Sequence, residues 1–208
     1  MIPRPPEAPF ADVEVRVRGA VAGHLPRGLA AAARTAIRIA DRALADAGRE
    51  PGTRGRMAGL ACRAGCSWCC HQMVGITPAE QALLAEGVLA LPAGERARIR
   101  GSVAAAVNRT RGLDQRQWWA ARLPCPLLAE DGRCAVHSTR PLPCRGYNSA
   151  DAEHCRRSLE GEATRVPVLA VQWGIYGHAQ AGLAQALAAA GIAPGPVSLV
   201  DALAAVLA

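Results

Sequence analysis

Apolar positions recur at helical spacing over most of this chain. Ile37, Ala40, Leu44 and Ala47 share one face of a segment that stops at Gly48, which predicts a helix over residues 29–47. Thr77-Pro78-Ala79-Glu80 is a capping box with proline at the first helical position, so a second helix starts there and runs to about residue 91. Pro92-Ala93-Gly94 interrupts the pattern, and residues 95–111 resume it with a thin apolar face of Ile99, Val103, Ala106 and Val107. Residues 168–190 read as a long buried helix, and residues 197–207 as a terminal one that Ser198 can cap. The N-terminal stretch differs. Val13, Val15 and Val17 alternate with Glu14, Arg16 and Arg18, which is the period of a strand. A proline-rich arm over residues 1–27 holding one short strand is expected, followed by a Gly- and Arg-rich linker at 50–59.

The helical pattern fails in two places. Residues 60–75 and 112–165 show little periodicity, and the second stretch is far longer than structureless loops inside compact domains usually are. All eight cysteines fall in these two stretches. The expectation is a mainly α, single helical domain over residues 28–208. Its long irregular cysteine-rich loops, 60–75 and 123–156, would fold around metal instead of a packed core.

The first cysteine set is Cys62-x3-Cys66-x2-Cys69-Cys70, and the second is Cys125, Cys134, Cys144 and Cys155. On a helix the first four would lie within about a 100° arc, and on a tight loop through Gly65 and Gly75 they would also converge. Four thiols on one small face are not ordinary core residues. A disulfide framework suits the even count but not a reducing compartment. Isolated buried cysteines are common, clustered ones are not. Metal ligation remains. Two tetrahedral zinc sites would use eight thiolates, and a [4Fe–4S] cluster takes four. Neighbouring side chains seldom bind one metal well, so Cys69-Cys70 points to two metals or one multinuclear centre. His71, His137 and His154 lie near cysteines in sequence and are candidate substitutes, with surface or supporting roles as the plainer reading. Arg63, Arg133, Arg140, Arg145, Arg156 and Arg157 crowd the same segments. Guanidinium groups offset the negative charge of a thiolate-bound metal, a role expected of Arg140 and Arg145, whereas Arg156 and Arg157 read as solvated surface.

Composition narrows the field. The 208 residues suffice for one domain with a real core, so cysteines are not needed merely to rescue a small fold. The net charge is +7, yet no lysine is present, which excludes Schiff-base and P-loop lysine chemistry. Four Trp, two Tyr and one Phe are few for stacking single-stranded nucleic acid, so nucleic acid is not the expected partner. The most apolar stretch, residues 166–191, is broken by Gln172, His178, Gln180 and Gln185, so no membrane span is expected. Met1–Glu7 lacks the apolar core of a signal peptide, and a cytoplasmic location is expected.

Several segments together resemble the YkgJ-type cysteine-cluster family, a zinc- or iron-chelating domain. They are Cys62-Arg63-Ala64-Gly65-Cys66-Ser67-Trp68-Cys69-Cys70, Val74-Gly75-Ile76-Thr77-Pro78-Ala79-Glu80, Cys125-Pro126-Leu127-Leu128, Gly132-Arg133-Cys134-Ala135-Val136-His137 and Arg140-Pro141-Leu142-Pro143-Cys144-Arg145-Gly146-Tyr147, closed by Cys155. The resemblance covers residues 60–155. His137 stands where members often carry an aromatic residue. The resemblance implies chelation of Zn2+ or an iron–sulfur cluster and no single reaction. A flagellin lysine methylase is similar in this module, and Cys62, Cys66 and Cys69 have the spacing of a radical-SAM motif, so an iron–sulfur enzyme is one alternative. That chemistry usually sits in a β/α barrel, for which the chain shows no alternation of strands and helices. A zinc-stapled interaction module is a further alternative, allowed by the positive charge.

Overall fold

Val13, Val17 and Val21 lie buried along one face of helix α1 (Ala11–Ala22), while Val15 is 57% exposed. The strand expected within residues 13–18 is therefore overturned. The four-residue spacing of the buried valines prevails over the two-residue alternation because the partner surface is helical, not a sheet edge. That surface is α2 (Leu29–Ala47) and α9 (Ala170–Ala189). Burying three valines stabilises the packing by about 1.5–3 kcal/mol each, so residues 11–22 belong to the core and not to a free arm. The proline-rich start of the expected arm lies outside the described residues, which are 10–192 and 195–208 of this computed structural model. Close approach of α1 and α9 depends on Gly182, where a Cβ would fall 2.3 Å from the Glu14 carbonyl oxygen.

The expected linker is also helical. Pro51 opens α3 (Pro51–Ala58), and Arg54 donates back to the Gly48 and Arg49 carbonyls, satisfying the end of α2. The remaining helices are α4 (Pro78–Leu89), α5 (Ala93–Thr110), α6 (Gln115–Ala121), α7 (Leu142–Gly146), α8 (Ala152–Leu159) and α10 (Leu199–Leu207). The Thr77/Glu80 capping box forms as its sequence predicts, and Ser198 caps α10 by accepting from the Asp201 N–H. The fold is mainly helical. Its one sheet, among the described residues, pairs β1 (Gly75–Ile76) with β2 (Val197–Ser198) antiparallel.

Two apolar regions organise the helices. One joins α1, α2, α4 and α9. The other joins α4, α5 and α10 with Leu127 and Val136 from the second cysteine loop, and Cys125, Cys134 and Cys144 pack against it. The sheet and the Leu199 N–H, which donates to the Val74 carbonyl at 2.8 Å, hold the start of α10 to the end of the first cysteine loop. The first cysteine loop is thus fastened at its end to regular structure, and the second packs on the same apolar region through Leu127 and Val136. No helix among the described residues is long and apolar enough to cross a membrane.

Candidate metal centre

The first cysteine segment is a loop, not a helix. Gly65 takes φ +86° in a turn between Cys62 and Cys66, and a 3-10 turn over Trp68–His71 presents Cys69 and Cys70. In the second segment, Cys125 and Cys134 stand on the two limbs of a tight hairpin, joined by an isolated bridge between Leu128 and Cys134 and by the Ala135 N–H donating to Leu127. Cys144 lies in α7 and Cys155 in α8.

Three contacts bring the segments together. The Cys125 N–H donates to the Cys70 carbonyl at 2.7 Å. The Ala61 N–H donates to the Ser149 carbonyl at 2.9 Å, and the Ser149 N–H donates to the Cys62 sulfur at 3.3 Å. The third is a backbone approach of Gly132 to Gly65. Gly132 has φ +79°, and a Cβ added there would lie 2.6 Å from the Gly65 carbonyl oxygen. Glycine is required here both for the left-handed conformation and for the space. Gly132→Ala should lower stability by about 2–3 kcal/mol and part the two loops, measured as a shift of the urea midpoint, whereas Gly19→Ala on α1, where a Cβ meets nothing within 4 Å, should not.

Electrostatic coupling sorts the thiols into two groups. Cys62 and Cys155 feel Cys66 and Cys69, while Cys125 and Cys144 feel Cys134 and Cys69. Cys69 belongs to both groups and lies beside the Cys70 thiol. Burial pushes the Cys125 thiol up to about 12, and burial also raises Cys144, Cys62, Cys134 and Cys155. Cys69 is raised chiefly by the neighbouring Cys70 thiol and then by burial. Such thiols are protonated at neutral pH and make poor nucleophiles, but a bound cation reverses that cost. All eight are free of disulfides. Among the described residues, no three of these side chains already stand as a metal shell.

Arg140 occupies the place expected of a balancing cation. Its charge reaches Cys62, Cys69, Cys134 and Cys144, and its buried Nε–H has no acceptor. An orphaned buried guanidinium N–H beside four thiols suits a set of sulfurs that becomes anionic when metal binds. Arg145 does not share this role. It donates to the Ser138 carbonyl at 2.6 Å and the Arg140 carbonyl at 3.0 Å and pairs with Asp41 at 3.8 Å, so it knits the loop instead. Arg156 pairs with Glu153 and Glu160, and Arg157 with Glu162, as surface charges do. The histidines separate likewise. His154 is engaged by Asp151 at 2.8 Å, His137 is exposed and held below its ordinary pKa first by Arg140, and His71 has a buried Nδ1 without a partner.

A cavity of about 450 Å3 opens against Cys62, Cys66, Cys69 and Cys155. Trp119 lines it, while Trp118 is buried under α5 and α10, so the two adjacent tryptophans divide their work. Sequence reasoning missed Ser149, Tyr147 and Trp173 here. Ser149 is 1% exposed, gives its N–H to Cys62, and donates its hydroxyl to the Asp151 carbonyl at 2.8 Å at the start of the helix that carries Cys155. A serine in an irregular segment carries no sequence signal for such a role. Tyr147 stacks on Trp173, with centroids 5.4 Å apart and planes at 17°.

Residues 61–160 match the family model CxxCxxCC, described as "Putative zinc- or iron-chelating domain". The match supports metal binding in general. No curated protein and no solved structure matches the chain.

Proposed function

We propose that this protein, which carries a CxxCxxCC domain over residues 61–160, binds zinc or an iron–sulfur cluster through its clustered cysteine thiolates. The reading rests on one observation above all. Two groups of thiols from distant segments meet at Cys69-Cys70, beside the unpaired buried Nε–H of Arg140. Cys62, Cys66 and Cys155 would ligate on the cavity side, and Cys125, Cys134 and Cys144 on the side of the second apolar core. Cys69 and Cys70 would supply the thiolates where the two groups join. The sulfurs would draw together on binding, and the metal would supply the charge that keeps them ionised. A reducing cytoplasm would keep the thiols available.

The spacing of Cys62, Cys66 and Cys69 also suits a three-thiolate iron–sulfur cluster with an open iron, the arrangement of a radical-SAM enzyme. The described residues form helices and one two-stranded sheet rather than a β/α barrel, and Cys70 stands ready as a fourth thiol, so the simple binding role is preferred. A zinc-stapled interaction module would use the same ligands, but it adds nothing that a particular surface supports.

Anaerobic purification followed by elemental analysis and absorption spectroscopy tests the reading. Broad absorption near ~400 nm with matching iron and sulfide indicates a cluster, and a colourless protein with stoichiometric zinc indicates the closed zinc form. Chelation should then make residues 60–75 and 123–156 the first sites of proteolysis. A metal-free protein as soluble and protease-resistant as the purified one would overturn the proposal.

A further inference from the structure

The cavity beside the cysteines has the makings of a second binding site, one that shares the wall of Cys62, Cys66, Cys69 and Cys155 with the proposed metal centre. Its volume, about 450 Å3, falls in the range of small-molecule sites. Three of the four tryptophans in the chain, Trp68, Trp119 and Trp173, line it together with Tyr147. This concentration is notable in a protein that has so few aromatic residues. The Tyr147–Trp173 stack holds one wall rigid, and the buried indole N–H of Trp173 has no acceptor.

The charge of the site is equally one-sided. Arg116 and Arg165 line the cavity, are exposed, and have no carboxylate partner among the described residues. No Asp or Glu lines it. Elsewhere on this surface several arginines are paired, Arg34 with Glu86, Arg98 with Glu95 and Arg156 with Glu153 among them. Two unpaired guanidinium groups at the edge of an aromatic cavity favour a carboxylate, which they can grip with charge-assisted bonds.

We propose that this cavity binds a small planar aromatic carboxylate, its ring among Trp68, Trp119 and Trp173 and its carboxylate at Arg116 and Arg165. Aromatic faces supply stacking area that a purely aliphatic acid cannot use, and the arginines reject a neutral isostere. Because the site shares a wall with the proposed metal centre, a bound molecule would lie beside whatever the cysteines hold.

Isothermal titration calorimetry on the full-length protein as purified, with its metal content measured in the same sample, tests this. The probes are 2-naphthoate, its neutral isostere 2-naphthylmethanol, and the aliphatic acid decanoate. Naphthoate should bind at one site, at least about tenfold more tightly than either of the others. The double variant Arg116→Gln/Arg165→Gln, confined to exposed side chains, should weaken naphthoate by about tenfold or more and leave the alcohol unchanged. Trp119→Leu should weaken naphthoate and the alcohol alike. Metal content should be unchanged in both variants, so failure of this inference is distinct from failure of the metal reading. Absence of naphthoate binding up to millimolar concentration, equal affinity for acid and alcohol, or affinity indifferent to both variants would overturn it.

Discussion

Cys69→Ser should strip the protein of most of its metal, leaving less than about a tenth of the wild-type content. Cys69 is the thiol felt both by Cys62 and Cys155 on the cavity side and by Cys125 and Cys144 on the core side. Serine keeps the size but offers a hard, rarely ionised oxygen in place of a soft thiolate. Losing one ligand from a four-ligand set should cost more than the 10–100-fold typical of a lost supporting hydrogen bond. The peripheral cysteines give the contrast. Cys155→Ser on the cavity side and Cys134→Ser on the core side should each remove only part of the metal, because each touches one group. Elemental analysis of the three variants, purified without oxygen, reads the pattern directly. Equal, partial losses in all three would mean that the centre is not joined at Cys69. Retention of full metal by Cys69→Ser would sink the role of this residue altogether.

The sequence pattern and the structure part company at informative places. Helices with a local start signal are legible, as Thr77-x-x-Glu80 and Ser198-x-x-Asp201 show. A third such signal, Asp114-x-x-Gln117, opens α6 by the same reciprocal bonds, and it stands inside the stretch that the apolar pattern leaves irregular. The seven residues of α6 are too short to display a period, so only the cap announces it. The N-terminal valines mislead for another reason. Val13, Val15 and Val17 satisfy a strand and Val13, Val17 and Val21 a helix, and the choice is made by the surfaces of α9 and α2, which lie outside the segment itself. At the site, residue type and spacing reveal the cysteines, while their division into groups does not follow chain order. Cys155 joins Cys62 and Cys66 across nearly a hundred residues, because the Ser149 segment folds back on Cys62. Arg140 and Arg145 look equivalent in sequence, but only Arg140 reaches the thiols, since Arg145 is consumed by the Ser138 and Arg140 carbonyls.

Glu80→Ala should destabilise the fold by about 3–5 kcal/mol, the largest loss expected from any residue outside the cysteines. Glu80 is 1% exposed, yet it is a capping residue by sequence. One carboxylate oxygen accepts from the Thr77 N–H at 2.8 Å, the Thr77 hydroxyl at 2.9 Å and the Gln180 amide at 3.0 Å. The other accepts from the Leu142 N–H at 2.8 Å. A single side chain therefore ties the start of α4 to α9 and to α7, two residues before Cys144. Alanine leaves the Leu142 N–H buried without its acceptor, at a cost of about 1–3 kcal/mol, removes half of the capping box, and takes one of two acceptors from the Gln180 amide, which keeps the Gly75 carbonyl at 3.0 Å. Glu80→Gln should cost less, because its amide oxygen still serves one donor. The glutamine variant also isolates a pH effect. Burial raises the Glu80 carboxyl above its ordinary value of 4.5, against the opposing pull of its hydrogen bonds. The folded state then holds this proton more tightly than the unfolded chain does. The resulting stability is full below the unfolded pKa and is lost as pH rises through the folded one. The stability of the wild type minus that of Glu80→Gln, from urea unfolding, should therefore fall as pH is raised from about 4.5. Any metal-linked pH dependence is common to both proteins and cancels in this difference. A difference that climbs over the same range would mean that the four hydrogen bonds outweigh burial and hold Glu80 ionised more firmly in the folded protein than in the unfolded chain.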